Sequence, residues 1–354
     1  MERTNRSHCH RSIFAVCLAV NLFVISASAR AQTDGFYNGK TVRIIVGATP
    51  GGFYDRWARL LARYIPKYMD GHPNFVVQNM PGAGSVVAAN YVYHLAKPDG
   101  LTLVMPLNSL HLDQIVGRPE VKYDLRKFAY IGSQEKTPTM MYFRADSPIK
   151  SLDDIIQAKE PPKCGSSGTT STAYTVSKLL NEAFKAKTIS ISGYQGGSEI
   201  DLAVERGEIV CRQMDVPPHF GREPFDGWHR KGFDRHIFQG GPKRDPRRAD
   251  VPTLFELLDQ YKSPPIMRDL TRIVLASGEL GRPMMAGPGV PPDRIKSLRD
   301  AYGKALRDPG LIDEAKKGQM DLEHTPGEEL QAQIKELLNQ PREVVDLVRK
   351  ILAD

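Results

Sequence analysis

The chain has 354 residues, 41% of them hydrophobic, 25% charged and 8% aromatic, which is enough length and apolar content for two packed domains and excludes a peptide, a collagen-like fibre and a disordered acidic tail. Its 30 Gly and 26 Pro are spread between apolar runs, so they read as turn punctuation between many short elements. The formal charge of +7 does not describe a nucleic-acid surface: acids and bases alternate, the densest basic stretch, Lys243 to Arg248, contains Asp245, and no aromatics interleave as stacking platforms.

Arg3, Arg6 and Arg11 precede an apolar run from Ile13 to Ile25 and the small-residue stretch Ala27-Ser28-Ala29-Arg30-Ala31. This order predicts a secretory signal peptide over residues 1–31, cleaved after Ala31. The run is short for a bilayer span and Asn21 interrupts it. Cys9 and Cys17 leave with it, and Phe14-Ala15-Val16 before Cys17 is a poor lipobox. The mature chain keeps Cys164 and Cys211, which are expected as two buried thiols rather than a bridge, since each adjoins an apolar strand. The histidines are scattered singly along the sequence, so neither a metal nor a cofactor is expected.

From Lys40 strand-like and helix-like segments alternate. Thr41–Val46 is a β-branched run, Pro50-Gly51-Gly52 a turn, and Asp55 to Tyr68 carries Trp57, Leu60, Leu61 and Tyr64 at helical spacing, with Asp55 read as the N-cap. The cycle repeats with Phe75–Gln78, the turn Pro81–Gly84, a helix from Ser85 to Leu95, and a strand over Leu101–Met105. Strands are expected at Phe128–Ile131 and Thr139–Phe143, then a helix capped by Ser151. Cys164 leads into Gly165–Ser171 and a helix from Thr172 to Phe184; Ile189–Ser192, a helix from Ser198 to Arg206, and the strand Ile209–Met214 follow. The end is helical: Asp293 to Arg307, Gly310 to Lys317, and Pro326 to Leu352, broken at Pro341. Two βα sets with a crossing near Ser133 to Thr139 predict an α/β fold of two domains with a ligand cleft between them.

Gly82-Ala83-Gly84-Ser85-Val86-Val87 begins like a dinucleotide fingerprint, but Val87 stands where a small residue is needed and no acid follows at the ribose position. It reads as a tight turn. Gly165-Ser166-Ser167-Gly168 would need Gly at Thr169 to form a serine nucleophile elbow. A Gly, Ser and Thr run that ends a strand and opens a helix does offer free N–H groups and hydroxyls to an anion, and Pro50–Asp55 has the same placement. The alternative for both is ordinary turn chemistry. Arg212 interrupts an apolar strand, and either points to solvent or reaches an anion with its planar fork.

Strung together, Pro50-Gly51-Gly52-x-x-Asp55-x-x-Ala58-Arg59, Val77-Gln78-Asn79-Met80-Pro81-Gly82-Ala83-Gly84 and Ala96-Lys97-Pro98-Asp99-Gly100-Leu101-Thr102-Leu103 resemble the substrate-binding proteins of tripartite tricarboxylate transporters, the Bug or TctC-like family. Ser166-Ser167-Gly168-Thr169, Gly193-Tyr194-Gln195-Gly196, Asp250-Val251-Pro252-Thr253 and Gly287–Pro292 continue the match in the family's order. The resemblance implies a type II periplasmic binding protein. Its domains would be 32–133 and 271–354 together, and 134–270. It further implies a ligand carboxylate held by Thr49, Pro50, Gly51, Gly52, Phe53, Tyr54 and Asp55 on one side and by Ser166, Ser167, Gly168, Thr169 and Thr170 on the other. Asn108, Ser109, Tyr194, Gln195, Gly196 and Arg212 complete the expected lining. The chain departs from the family at Phe53-Tyr54, where small residues are common, and at Val210, where an acid is usual; the aromatics could favour a flat aromatic acid. The function so implied is a non-catalytic periplasmic receptor that delivers a small organic acid to membrane permease subunits. The alternatives are a secreted hydrolase using Ser166 or Ser167, or a ligand sensor for a signalling partner.

Overall fold

A computed structural model describes residues 35–169, 171–194, 197–221 and 223–352. The expected signal segment, with Cys9 and Cys17, lies outside the described residues, as do Thr170, Gln195 and Gly196. The first sheet opens with β1 (Thr41–Val46), followed by α1 (Phe53–Tyr64), β2 (Asn74–Asn79), α2 (Val86–His94), β3 (Thr102–Met105), α3 (Leu110–Val116) and β4 (Ala129–Ser133). The chain then crosses to a second sheet. There it runs through β5 (Thr139–Arg144), α4 (Leu152–Gln157), β6 (Lys163–Gly165), α5 (Thr172–Phe184), β7 (Ile189–Ile191), α6 (Gly197–Glu205), β8 (Cys211–Asp215), α7 (Val216–Phe220), α8 (Phe225–Lys231), β9 (Asp234–Gln239) and α9 (Leu254–Gln260). Helix α10 (Pro265–Leu280) brings it back to β10 (Pro283–Ala286), α11 (Pro292–Ala305), α12 (Pro309–Lys317), β11 (Thr325–Pro326), α13 (Gly327–Leu337) and α14 (Arg342–Leu352).

The first sheet has the order β11-β4-β10-β3-β1-β2 and the second β7-β6-β8-β5-β9. In the first, β2 and β3 flank β1 in parallel, and β10 returns antiparallel between β3 and β4. In the second, β7 and β8 flank β6 in parallel while β5 runs antiparallel between β8 and β9. The βα connections set the helix N-termini at the carboxyl ends of the parallel strands, and both sets of strand ends open onto one cleft. A continuous apolar core runs from Ile45, Val104 and Met285 of the first sheet through Leu270, Ile273, Leu330 and Val348 to Phe143 and Phe238 of the second. Helix α14 packs on α3, α5 and α10, so it touches elements attached to both sheets.

Local chemistry explains most element bounds. Trp57, Leu60, Leu61 and Tyr64 lie buried along one face of α1, and Pro66 turns the expected last turn into a 3-10 segment, Ile65–Tyr68. Asp55 is not the N-cap: Gly52 holds that position, and Asp55, buried in the first turn, accepts from the Gly51 N–H at 2.9 Å and from Arg59 Nε at 2.9 Å. Ser151 does cap α4, its hydroxyl accepting from Asp154 N–H. The two cysteines are also corrected. Cys164 and Cys211 are register partners on the adjacent strands β6 and β8, their Cα atoms 4.4 Å apart, and they form a disulfide. Strand pairing brings the two Cβ atoms to bridging distance, which sequence separation alone does not reveal.

Candidate functional site

The cleft between the two sheets has a volume of about 670 Å³, within the range of small-molecule sites. From the first sheet it is lined by Gly51, Gly52, Phe53 and Tyr54 after β1, by Gly84, and by Leu107, Asn108 and Ser109 after β3. From the second it is lined by Ser167, Ser171, Thr172 and Ala173 at the start of α5, by Gly197, Ser198 and Ile200 of α6, and by Arg212 to Asp215 of β8. Three helices of 12, 13 and 9 residues thus begin at one cavity. Their first-turn N–H groups and dipoles add positive potential to the cavity.

Buried hydroxyls fix the loops on the first side. Ser85, fully buried, donates to Gly47 O at 2.7 Å and accepts from Leu107 N–H at 3.0 Å, tying the loops after β1 and β3. A side chain at Gly47 would collide with Ser85, its Cβ falling 2.3 Å from Ser85 Oγ. The Tyr54 hydroxyl accepts from Asn108 N–H at 3.2 Å, and burial raises that phenol to about 12. Asn108 Nδ2 in turn donates to Thr137 Oγ1 at 2.9 Å and to Ser277 O at 2.8 Å.

Arg282, 2% exposed, stands between the two chain crossings at the floor of the cleft. Its Nε donates to Glu135 Oε2, and its terminal nitrogen lies 3.6 Å from Asp215 Oδ2. Its guanidinium covers the Tyr54 ring at 4.4 Å from the centroid. Trp57 Nε1 donates to the same Glu135 oxygen at 3.1 Å. Burial pushes the Glu135 and Asp215 carboxyls up, and Arg282 opposes both shifts. Gly281, at φ 64°, is required before Arg282, since a Cβ there would meet Glu135 O at 1.8 Å. On the second side Arg212 pairs with Asp201 and donates to Gly197 O at 3.0 Å, which fixes the first turn of α6. Arg212 and Arg282 therefore each carry a carboxylate partner, whereas Arg56, which also lines the cavity, donates to Gly318 O at 2.7 Å and pairs with no carboxylate among the described residues.

Of the residues singled out from the sequence, Gly51, Gly52, Phe53, Tyr54, Asn108, Ser109, Ser167 and Arg212 line this cavity. Thr49, Pro50, Asp55, Ser166, Gly168, Thr169 and Tyr194 are not among its lining residues. Asp55 braces its own loop, and the Ser166 hydroxyl is shared with those of Ser190 and Ser192 at 2.8 Å each. Thr170, Gln195 and Gly196 are outside the described residues. Sequence reading missed Ser85, Glu135, Gln213, Asp215 and Arg282. The available signal was a single charge set against apolar neighbours, as in Gly281-Arg282-Pro283-Met284 and Gln213-Met214-Asp215-Val216. The histidines, scattered in sequence, are not scattered in space: His219, His229 and His236 converge with Asp234.

A family model described as "Tripartite tricarboxylate transporter family receptor" matches residues 58–349. Protein BugT of Bordetella pertussis (strain Tohama I) is 30% identical over 217 residues, 56% of this chain and 62% of that protein. The chain spans less than two thirds of the length of the curated relatives it matches. Among solved structures, periplasmic binding protein BugD superposes with a TM-score of 0.65 at 18% identity, covering 89% of this chain and 98% of that one. MatC (Rpa3494) from Rhodopseudomonas palustris, with bound malate, superposes with a TM-score of 0.64 at 20% identity, covering 88% and 99%. The two-sheet α/β architecture is that of periplasmic binding proteins.

Proposed function

The chain belongs to the tripartite tricarboxylate transporter receptor family, and from that premise we propose that it is a periplasmic receptor that closes on a small organic carboxylate and delivers it to membrane permease subunits. The observation that carries the proposal is the convergence of the N-termini of α1, α5 and α6 on one cavity, beside Arg212 and Arg282, which are already paired with carboxylates. Such a surface recognises an anion through backbone N–H groups, where geometry and not bulk charge sets the affinity. The bound malate of MatC is a ligand of this chemical class. Asp215, at the cavity wall, adds an acceptor that a ligand hydroxyl or ammonium could meet.

The ligand residues we assign are Gly51, Gly52, Phe53, Tyr54, Asn108 and Ser109 from one side and Ser167, Ser171, Thr172 and Arg212 from the other. The domains that go with this reading are 32–133 with 271–354, and 134–270, each built around one sheet. No helix among the described residues is long and apolar enough to cross a membrane. The test is titration calorimetry of the mature chain against mono-, di- and aromatic carboxylates, with Gly52→Val in parallel. The nearest atom outside the adjoining residues to a Cβ at 52 is Thr49 O at 3.8 Å and its φ is −73°, so the variant folds while its side chain intrudes on the α1 N-terminus. Saturable binding of at least one carboxylate, lost in Gly52→Val, is expected. Binding that Gly52→Val leaves unchanged would place the anion elsewhere.

A further inference from the structure

On the far side of the second sheet, four polar side chains converge where no ligand has been assigned. His219 comes from α7, His229 from α8, and Asp234 and His236 from β9, where the two-residue spacing points both to one face. Asp234 Oδ2 lies 3.1 Å from His219 Nε2, 3.1 Å from His229 Nε2 and 3.2 Å from His236 Nε2. The imidazoles also meet each other: His219 Nε2 is 2.7 Å from His236 Nε2 and 3.1 Å from His229 Nε2. All four ligand atoms fall within 4.8 Å of one another.

Protons alone cannot satisfy this arrangement. If every Nε2 carries a hydrogen to donate to Asp234, the rings face each other hydrogen to hydrogen across 2.7 and 3.1 Å. If they do not, lone pairs face the carboxylate. A shared cation removes the conflict, because each ring then offers a lone pair and the carboxylate a negative charge to one centre. Ligand atoms about 2.0–2.1 Å from a tetrahedral Zn²⁺ sit roughly 3.3 Å from each other, close to the separations observed. We propose that His219, His229, Asp234 and His236 bind a divalent transition-metal ion, Zn²⁺ foremost, as a closed four-ligand structural site.

Three imidazoles and one carboxylate suit a borderline ion such as Zn²⁺ or Co²⁺ better than Mg²⁺ or Ca²⁺, which take oxygen ligands. The side chains of His219, Asp234 and His236 are at most 1% exposed, while His229 is 24% exposed and forms the way in. His219 stacks on Tyr142 at 5.1 Å, which fixes the ring plane. Arg248 donates to His236 Nδ1 and is held by Asp250 at 2.7 and 3.0 Å. A metal at Nε2 requires the Nδ1–H tautomer, so on loading the His236 proton moves from Nε2 to Nδ1 and Arg248 Nη1 gives up its bond there, while Asp250 keeps hold of the Arg248 Nε and Nη2. The ion joins α7, α8 and β9 into one clasp, and Pro218, next to His219, lines the cleft. The site stands whether or not the cleft binds a carboxylate.

The untagged mature chain, stripped with EDTA, is titrated with Zn²⁺ or Co²⁺ alone. The expected result is one metal per chain, visible d–d bands of tetrahedral Co²⁺ displaced by Zn²⁺, and a higher Tm on loading. His229→Ala, at the least buried ligand, should keep the fold and weaken Zn²⁺ binding at least tenfold. His219→Gln combined with His236→Gln should abolish the Co²⁺ spectrum. A wild-type chain that takes up neither ion and gains no thermal stability overturns the site. So does a His229→Ala variant that binds as tightly as wild type.

Discussion

The two walls of the cleft are fastened differently. On the first, Ser85, Tyr54, Asn108 and Arg282 tie the loops not only to each other but to Thr137, Glu135 and Ser277, which lie in or beside the segments that cross between the sheets. Those segments also bond to each other, Thr137 N–H to Gly278 O at 2.8 Å and Arg282 N–H to Ser133 Oγ at 2.9 Å. On the second wall the ties are mostly local: Ser166 with Ser190 and Ser192, Arg212 with Asp201 and Gly197, and the Cys164–Cys211 bridge beneath them, while Asp215 reaches across to Arg282 at 3.6 Å. A rotation at the crossings would move the second wall as one piece and strain the polar ties of the first. The first wall thus sets the reference geometry, and the second carries its own.

Arg282→Ala is the severest way to break that contrast, because it leaves Glu135 buried with only Trp57 as a donor among the described residues. Stripping one partner from a buried ion pair costs roughly 3–5 kcal/mol, and urea unfolding measures it. Replacing both partners, as Arg282→Met with Glu135→Leu, should recover most of the loss. The two tryptophans report one wall each, Trp57 beside Glu135 and Trp228 in the cluster behind the second sheet. Arg282→Ala should shift the Trp57 fluorescence and leave that of Trp228 in place. A loss under about 1 kcal/mol would mean that the pair is solvated and anchors nothing.

Removing the disulfide tests the other side. Cys164 and Cys211 are 47 residues apart, and freeing a loop of that size costs about 4 kcal/mol in the chain-entropy account. Cys164→Ala with Cys211→Ala should lower the urea midpoint accordingly while carboxylate affinity, measured on the folded fraction, changes less than threefold. If affinity falls in step with stability, the second wall is not the self-contained unit its contacts describe.

The same contrast governs what could be read beforehand. The parallel βα cycles were legible because β-branched runs, glycine turns and apolar helix faces each carry their own period, as in Thr41–Val46 and Thr172–Phe184. The segment from Val216 to Gln239 was not. Helix α7 has five residues with proline in its first turn, α8 has seven, and β9 alternates Asp, Arg and His along half its length. Such stretches have no dominant apolar period, and what orders them is convergence on a buried polar centre. For the cleft, backbone-rich loops announced themselves through Gly, Ser and Thr, whereas Ser85, Glu135 and Arg282 act through partners 22 to 147 residues away. Sequence spacing carries no trace of those pairings.

Ser85→Ala comes next in size. The hydroxyl serves a carbonyl and an N–H at once, so its loss orphans two buried backbone groups and should cost about 2 kcal/mol. It should also weaken carboxylate binding, because the loops after β1 and β3 lose their common post. Unchanged binding in a destabilised Ser85→Ala would show that the first wall keeps its shape without it.

The smallest effect separates two neighbouring hydroxyls on the second wall. Ser171 is the N-cap of α5, donating to Gly168 O at 2.7 Å and accepting from Tyr174 N–H at 3.3 Å, and it lines the cleft. Thr169 precedes it by two residues and is not among the lining residues. Ser171→Ala should cost about 1 kcal/mol of stability, the usual worth of a hydroxyl cap. It should also lower carboxylate affinity, because the helix start that presents N–H groups to the anion frays. Thr169→Ala should change stability by less than about 0.5 kcal/mol, as surface substitutions away from caps and cores do, and should leave affinity as it was. Calorimetry and urea titration on the pair decide the matter. A larger affinity loss in Thr169→Ala than in Ser171→Ala would mean that the anion is gripped by the loop itself, and the helix start would lose its place as the second wall's contact.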